Sequence, residues 1–313
     1  MATTTTQVGP YDQVYYDKTL IDRALPMLVH EVPAQKRSLG KKMGKTVNFR
    51  EFESLPVATT ALTEGVTPAA SPYSVREVTA EVAQYGYVNS ITDMVDATKP
   101  DAHMTEIVEL QGEQAGLTKD TVIRNAIYAA GTNLFFQTAA NTINQDGPAA
   151  EIIDEGGVDK VVRAMRNNNC PYFTEVVNGS TKVGTTPISP AYLCIVHPNQ
   201  GYDVRGLTGF IPFEQYGSSM TPMRGEIGAY KQVRFLETTN AYNDGTNYYA
   251  LFFGPNAFGV VALNGMDTTT YHAPFGSGED TLHQRAKQGW KACWVAKILN
   301  DAFMAGLVTT VTA

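Results

Sequence analysis

Histidine is the side chain best suited to acid–base or metal chemistry near neutral pH. This 313-residue chain has five: His30, His103, His197, His272 and His283. They are scattered. No two stand four residues apart and no HExxH occurs, so no helix offers a histidine pair to a zinc ion. His197 closes the apolar run "AYLCIV" and precedes a proline, which reads as a structural histidine at a strand end. Glu106, Glu109 and Glu113 fall near one face of a helical segment. Three carboxylates can hold a cation or move protons. No histidine or fourth ligand accompanies them at metal spacing, so they read as a solvated acidic face, or one that meets a basic run on a neighbouring subunit. There is no GxSxG elbow and no GxGxxG, and "GSGED" (276–280) lacks the Lys and Ser/Thr of a phosphate loop. No catalytic, cofactor-binding or metal-ligating residue is assigned, and no cofactor is expected.

The three cysteines, Cys170, Cys194 and Cys293, are far apart and form no CxxC. Two lie in apolar runs ("YLCIV", "KACWVA"), which reads as reduced core thiols and a reducing compartment. Cys170 is the one expected to be most exposed. The start, "MATTTTQVGPYD", has no basic segment followed by an apolar one, so no signal peptide is expected. No apolar run reaches eighteen residues, so no membrane span is expected. Charged residues make up 18% and hydrophobic residues 43%, leaving a surface rich in Thr, Asn, Gln, Ser and Gly. Low charge suits large self-contacts. The net charge of −7 and pI near 5.3 disfavour a protein that grips phosphates. The one basic run, "KRSLGKKMGK" (36–45), reads as a solvated loop before a strand, or as an electrostatic contact with an acidic patch on a sister subunit.

These residues need elements to carry them. Residues 1 to 35 read as an arm, with a short helix around Tyr16, Leu20, Ala24 and Leu25 that Pro26 ends. "KTVNFREFE" (45–53) and "SVREVTAEVAQYGYV" (74–88) read as the arms of a hairpin. Between them "SLPVATTALTEGVTPAASPY" holds one charge, Glu64, and three prolines. A structureless loop of this length is unusual in a compact domain, and Leu55, Val57, Leu62 and Val66 make it too apolar for a solvated linker. Residues 98 to 130 read as the longest helix, about 40 Å at 1.5 Å per residue. Ile107, Leu110, Gln114, Leu117 and Thr121 share one side, Gly131 is the stop, and Gly112 and Gly116 mark close packing of another backbone. Residues 151 to 265 alternate helices and strands. They include a hairpin closed at Asn178-Gly179, a buried strand "AYLCIV", a strand pair in "GEIGAYKQVRFLETTN", and a strand followed by an apolar helix in "NYYALFFGPNAFGVVAL". Residues 266 to 313 read as core strands.

In this order the chain resembles a tailed-bacteriophage major capsid protein, the Johnson fold shared with herpesvirus floor domains and encapsulin shells. It is most similar to the N-four-like major head protein family. The runs that carry this are "YYDKTLIDRALPMLVHE", "GKTVNFREFESLPVATTALTEGVTP", "ELQGEQAGLTKDTVIRNAIYAAGTN", "GEIGAYKQVRFLETTNA" and "QGWKACWVAKILN". The resemblance implies an α+β fold in five parts. Residues 1–35 would be an N-arm and 36–97 an extended E-loop. Residues 98–150 would be the P-domain spine helix and its connector. A mixed α/β A-domain would take 151–265, and return strands of the P-domain 266–313.

The same resemblance implies a structural chain, not an enzyme. It would self-assemble as hexamers and pentamers into an icosahedral head around double-stranded DNA, in the virion, after assembly in the bacterial host cytoplasm. Partners would be the chain itself, a portal, and a separate scaffold or decoration protein if any, with no membrane and no sequence-specific DNA binding. No added scaffolding domain precedes the arm. The E-loop tip (Leu55, Val57, Leu62, Glu64, Val66) would be covered by the next subunit, and Lys41 and Lys42 would meet Glu109 and Glu113 across a boundary. Some relatives weld an E-loop lysine to a neighbour, but no lysine lies between Lys45 and Lys99, so this loop has no amine to offer. The alternatives are an encapsulin-like compartment and, in another class, an enzyme with an unrecognised site in the 151–265 lobe.

Overall fold

The computed structural model describes residues 26, 28–67, 70–98, 103–128, 133–145, 147–173, 191–215, 223–266, 268–276 and 281–312. The expected helix before Pro26, the Asn178-Gly179 hairpin and the stop at Gly131 lie outside them. Among the described residues no helix is long and apolar enough to cross a membrane.

In chain order the elements are β1 (Gln35–Leu39), β2 (Thr46–Phe52), β3 (Val75–Glu81), β4 (Ala83–Thr92), α1 (Asp93–Thr98), α2 (His103–Tyr128), β5 (Leu134–Ala139) and β6 (Thr142–Asn144). Then come α3 (Glu155–Asn167), β7 (Tyr192–Val196), α4 (Pro198–Arg205), β8 (Phe210–Pro212), β9 (Glu226–Tyr230), β10 (Val233–Glu237) and β11 (Tyr248–Phe253). The last four strands are β12 (Phe258–Leu263), β13 (Thr269–Ala273), β14 (Arg285–Ile298) and β15 (Met304–Thr309).

They form three sheets. The largest runs β6-β5-β15-β11-β7-β10-β9-β8. Its central strand β7 is buried at all five residues because both faces are covered. Tyr192, Cys194 and Val196 join the core under α3, whereas Ile195 joins a second core with Ile123 and Ile127 of α2. Asp154 caps α3, its Oδ1 accepting from Gly157 N at 2.6 Å. The second sheet is built on the 14-residue β14, with β4 along one edge and β12 then β13 along the other, while β1 adds beside β12 in parallel. Trp290, Ala292 and Trp294 of β14 pack on Ala115 of α2, and Tyr85 stacks on Trp294 at 4.6 Å. The third sheet is the β2–β3 hairpin alone.

Four expectations are corrected. Residues 258–263 are a strand, β12, and not an apolar helix. Asn256 takes a left-handed φ of 60° in the turn after β11, and the short run Phe258–Leu263 then finds ladders on both sides, β14 and β1. A run this short cannot be told from a buried helix by pattern. Residues 36–39 of the basic run lie in the strand β1, not a loop, because they pair with β12. On α2 the buried positions are Gln111, Ala115, Asp120, Ile123 and Ile127, with Leu110 exposed, so the packed face is rotated from the expected one. Gly112 meets no neighbour, and Gly116 packs against the side chain of Leu28, not against another backbone.

Sheet membership also crosses the expected part boundaries. β12, inside 151–265, belongs with β14, and β15, inside 266–313, belongs to the eight-stranded sheet.

Candidate assembly interface

The hairpin is built to stand away from the body. β2 and β3 pair antiparallel from Thr46↔Glu81 to Phe52↔Val75. Most of its side chains are exposed, with Ala80 buried and Val47, Phe49 and Val78 half-buried, and an isolated two-stranded ribbon is marginal in water. Cross-strand charges hold it: Arg50 faces Glu77, Arg76 faces Glu51, and Lys45 pairs with Glu81. The Glu81 carboxylate raises the Lys45 pKa by accepting its proton in a hydrogen bond and by its charge. Phe49 leans on the body at Gly259, where a Cβ would lie 3.3 Å from its ring. At the far end Glu53 N donates to Ser74 O at 3.2 Å, and Phe52 and Tyr73 sit 6.0 Å apart.

Beyond that closure the described residues, 54–67 and 70–73, form no strand. Leu55, Val57, Leu62 and Val66 stand 66%, 85%, 76% and 62% exposed. Glu64 and Gly65 make the turn, with Gly65 at φ +79° and Val66 N donating to Thr63 O at 3.2 Å. The predicted tip residues therefore lie together on one loop, with their apolar side chains in solvent. Large exposed apolar groups gathered in one place mark an interaction surface.

The predicted charges lie on separate elements. Lys41 and Lys42 are exposed in the β1–β2 connection, Lys42 at φ 66°. Glu109 is exposed and Glu113 half-buried on α2. The basic run is smaller than its sequence suggests, because Lys36 pairs with Glu31 at 3.5 Å and Lys45 with Glu81.

One polar constellation escaped the sequence reading. His30 and Asp120 are both buried, with Nδ1 and Oδ2 2.7 Å apart, and His30 N donates to Oδ1 at 3.0 Å. Asn240 Nδ2 donates to the same Oδ2 at 2.7 Å, and Arg124 reaches Asn240 O at 3.0 Å. Burial pushes the Asp120 carboxyl up, but the bonds from His30 and Asn240 outweigh it and leave the pKa lowered. Outside the pair Lys119 holds Glu31 at 2.9 Å. Together these bonds fasten the segment before β1 to α2 and to the loop after β10. A lone histidine in "LPMLVHE" carries no spacing signal that could have found it. Arg234 and Glu226 form a second buried pair, at 2.7 and 2.5 Å.

The remaining candidate chemistry is structural. His197 caps α4, its Nδ1 accepting from Asn199 N at 3.2 Å. All three cysteines are buried and free. Cys170 is no more exposed than Cys293, and burial raises its thiol pKa to about 11. Among the described residues no three His, Cys, Asp or Glu side chains gather to hold a metal.

The profile of the family described as "Phage capsid protein" matches residues 76–301. The chain belongs to the phage capsid protein family. Solved structures agree on the fold. The capsid of Cyanophage P-SCSP1u superposes with a TM-score of 0.66 at 14% identity, over 99% of this chain and 97% of that one. The capsid of Ralstonia phage GP4 gives 0.66 at 13% identity, covering 100% and 99%. The head structure of Helicobacter pylori bacteriophage KHP40 gives 0.63 at 9% identity, covering 100% and 98%. A search of curated proteins returns no sequence match. This capsid chain has the tailed-phage major capsid, or Johnson, fold over essentially its whole length, and it is a structural protein of the virion capsid and not an enzyme.

Proposed function

We propose that the chain is the major head protein of a tailed phage. Copies assemble as hexamers and pentamers into an icosahedral shell that encloses double-stranded DNA. The observation that carries this reading is the E-loop. Four apolar side chains are held in water at the end of a charge-laced ribbon, in a chain whose family builds capsids. Such a tip is a hazard in a monomer and a joint in a lattice. The acidic balance fits a container that holds packed DNA without gripping it.

The five-part division belongs to this proposal: N-arm, E-loop, P-domain spine, A-domain and returning P-domain strands, with β12 and β15 assigned by sheet and not by position. So do the contact between Lys41 and Lys42 of one subunit and Glu109 and Glu113 of the next, the portal, a separate scaffold or decoration protein, and assembly in the host cytoplasm. An encapsulin-like compartment differs in cargo, and the nucleic acid inside purified particles separates the two.

Deleting residues 56–70 tests the reading. The hairpin below Phe52 and Tyr73 keeps its own ladder, so the subunit stays folded and soluble. It fails to close shells. Intact heads from the deleted chain would overturn the role given to the tip.

A further inference from the structure

His30 is wholly buried, and among the described residues its Nε2 has no hydrogen-bond partner. The carboxylate that faces it is Asp120, itself 3% exposed. Both bonds of the histidine run to that carboxylate, one from Nδ1 and one from the backbone N. The segment that carries it, 28–34, leads into β1 and has no ladder of its own. Two turn bonds shape it, Val32 N to Val29 O at 3.0 Å and Ala34 N to Glu31 O at 3.3 Å. Its apolar hold on α2 is short. Val29 packs with Ile123 and Ile127, and Leu28 lies against Gly116, its Cδ1 2.9 Å from where a Cβ would stand. The other charges at the junction are Glu31 and Lys36 on the chain around the segment, and Lys119 and Arg124 on α2. Glu31 pairs with Lys119 and Lys36, and Arg124 turns to Asn240 on the loop after β10. Asp120 is left as the charge set against the imidazole.

We propose that His30 and Asp120 form an acid-released latch, which lets the segment 28–34 leave α2 while the body of the subunit stays folded. While Asp120 is ionised, the imidazole keeps its place whether or not it carries a second proton, because the carboxylate offsets its charge. Once Asp120 is protonated that offset is gone. An imidazole in water is charged at any such pH, since its ordinary value is about 6.5. In the site it must then stay neutral against the pH, or stand charged with Nε2–H facing no acceptor. Either state costs free energy that leaving the site removes. The open segment binds more protons than the docked one, so acid favours opening. Burial raises the Asp120 pKa, but the bonds from His30 and Asn240 outweigh it, which places opening below a carboxyl's ordinary value of about 3.9. The segment ends the proposed N-arm, so release unties that arm from its own subunit. The latch needs only the folded subunit and does not rest on the shell reading.

Hydrogen exchange on the purified full chain tests this, with each rate corrected for the intrinsic effect of pH. The amides of His30, Val32 and Ala34 report the segment, and those of β7 report the body. In the wild type the segment should keep its protection down to about pH 4 and lose it below, before β7 does. Asp120→Asn keeps the size and an acceptor but removes the charge. Its segment should open below about pH 6.5, roughly two to three units earlier, with β7 still protected. His30→Gln keeps a donor for Asp120 and cannot become charged. Its segment should stay docked at a pH where the wild type has opened. The contacts of Glu31, Lys36, Lys119 and Arg124 are common to all three chains and cancel from the comparison. A segment that opens at the same pH in wild type and Asp120→Asn, or that loses protection only together with β7 in every chain, overturns the latch. If one variant does not fold, the other against wild type still decides.

Discussion

His30 and Asp120 show how a residue that looks catalytic earns a structural role. The pair is buried and tied on three sides, so removing the imidazole leaves a buried carboxylate short of a partner. His30→Ala should cost about 1–3 kcal/mol in thermal or denaturant unfolding of the subunit. The pH dependence follows from the lowered Asp120 pKa. A carboxyl depressed in the folded state adds stability above its unfolded value, about 3.9, and loses it as pH falls through the lower folded value. The gap between wild type and His30→Ala should therefore be wide at pH 5 and narrow towards pH 3. A gap that stays constant across that range would contradict the assignment. Sequence reading assigned the scattered histidines no chemistry and could not see this contact. Its partner lies 90 residues away, and nothing in the local pattern around either residue announces the contact. The structural character of His197 was legible because its signal is local, a strand end followed by a proline, but its cap on α4 was not read.

Among the elements, legibility followed whether neighbours in sequence were neighbours in space. The β2–β3 hairpin, β7 and the β9–β10 pair were read from periodicity and bounding turns, and the long helix from its length, but the second arm ends at Glu81 and the rest of it, 83–88, lies in β4 beside β14. β12 was misread because its six apolar residues satisfy either period, and only its ladders to β1 and β14 decide. The packed face of α2 was misread because polar Gln111 and Asp120 are buried on it. Gln111 is held by the sheet, its Nε2 donating to Gln288 O at 2.8 Å. The close approach of β4 and β14 was invisible in sequence, since Gly86 and Gly289 are far apart until the two strands pair. The β4–β14 ladder makes a specific expectation. Gly86→Val puts a Cβ 2.7 Å from the Trp290 carbonyl oxygen and must part the strands, whereas Ser90→Val, third from the end of the same strand at an exposed position, should be tolerated. Hydrogen exchange of the β14 amides should rise sharply in the first variant and stay near wild type in the second. Equal protection in both would show that the close approach at Gly86 is not a constraint.

At the scale of the molecule the fold offers an apolar loop tip that one chain leaves in solvent, and it carries opposite charges on the arm base and on α2. Surface charge pairs are worth only about 0.2–1 kcal/mol each, and salt screens them over about 10 Å at 0.1 M. Under the contact proposed above, their repetition at every boundary would bias assembly. Lys41→Glu with Lys42→Glu should lower particle yield, and Glu109→Lys with Glu113→Lys in the same chain should partly restore it, more at low salt than at high. Additive losses without rescue would show that these charges do not meet. The central claim, that copies of this chain build a closed shell, is tested most directly by sedimentation of the wild-type protein, alone and with any scaffold protein it is found to need, followed by electron microscopy of the fastest fraction. The account predicts megadalton particles that appear as closed, uniform shells. A chain that sediments only as a monomer or small oligomer, under conditions where it is folded and unaggregated, would contradict it.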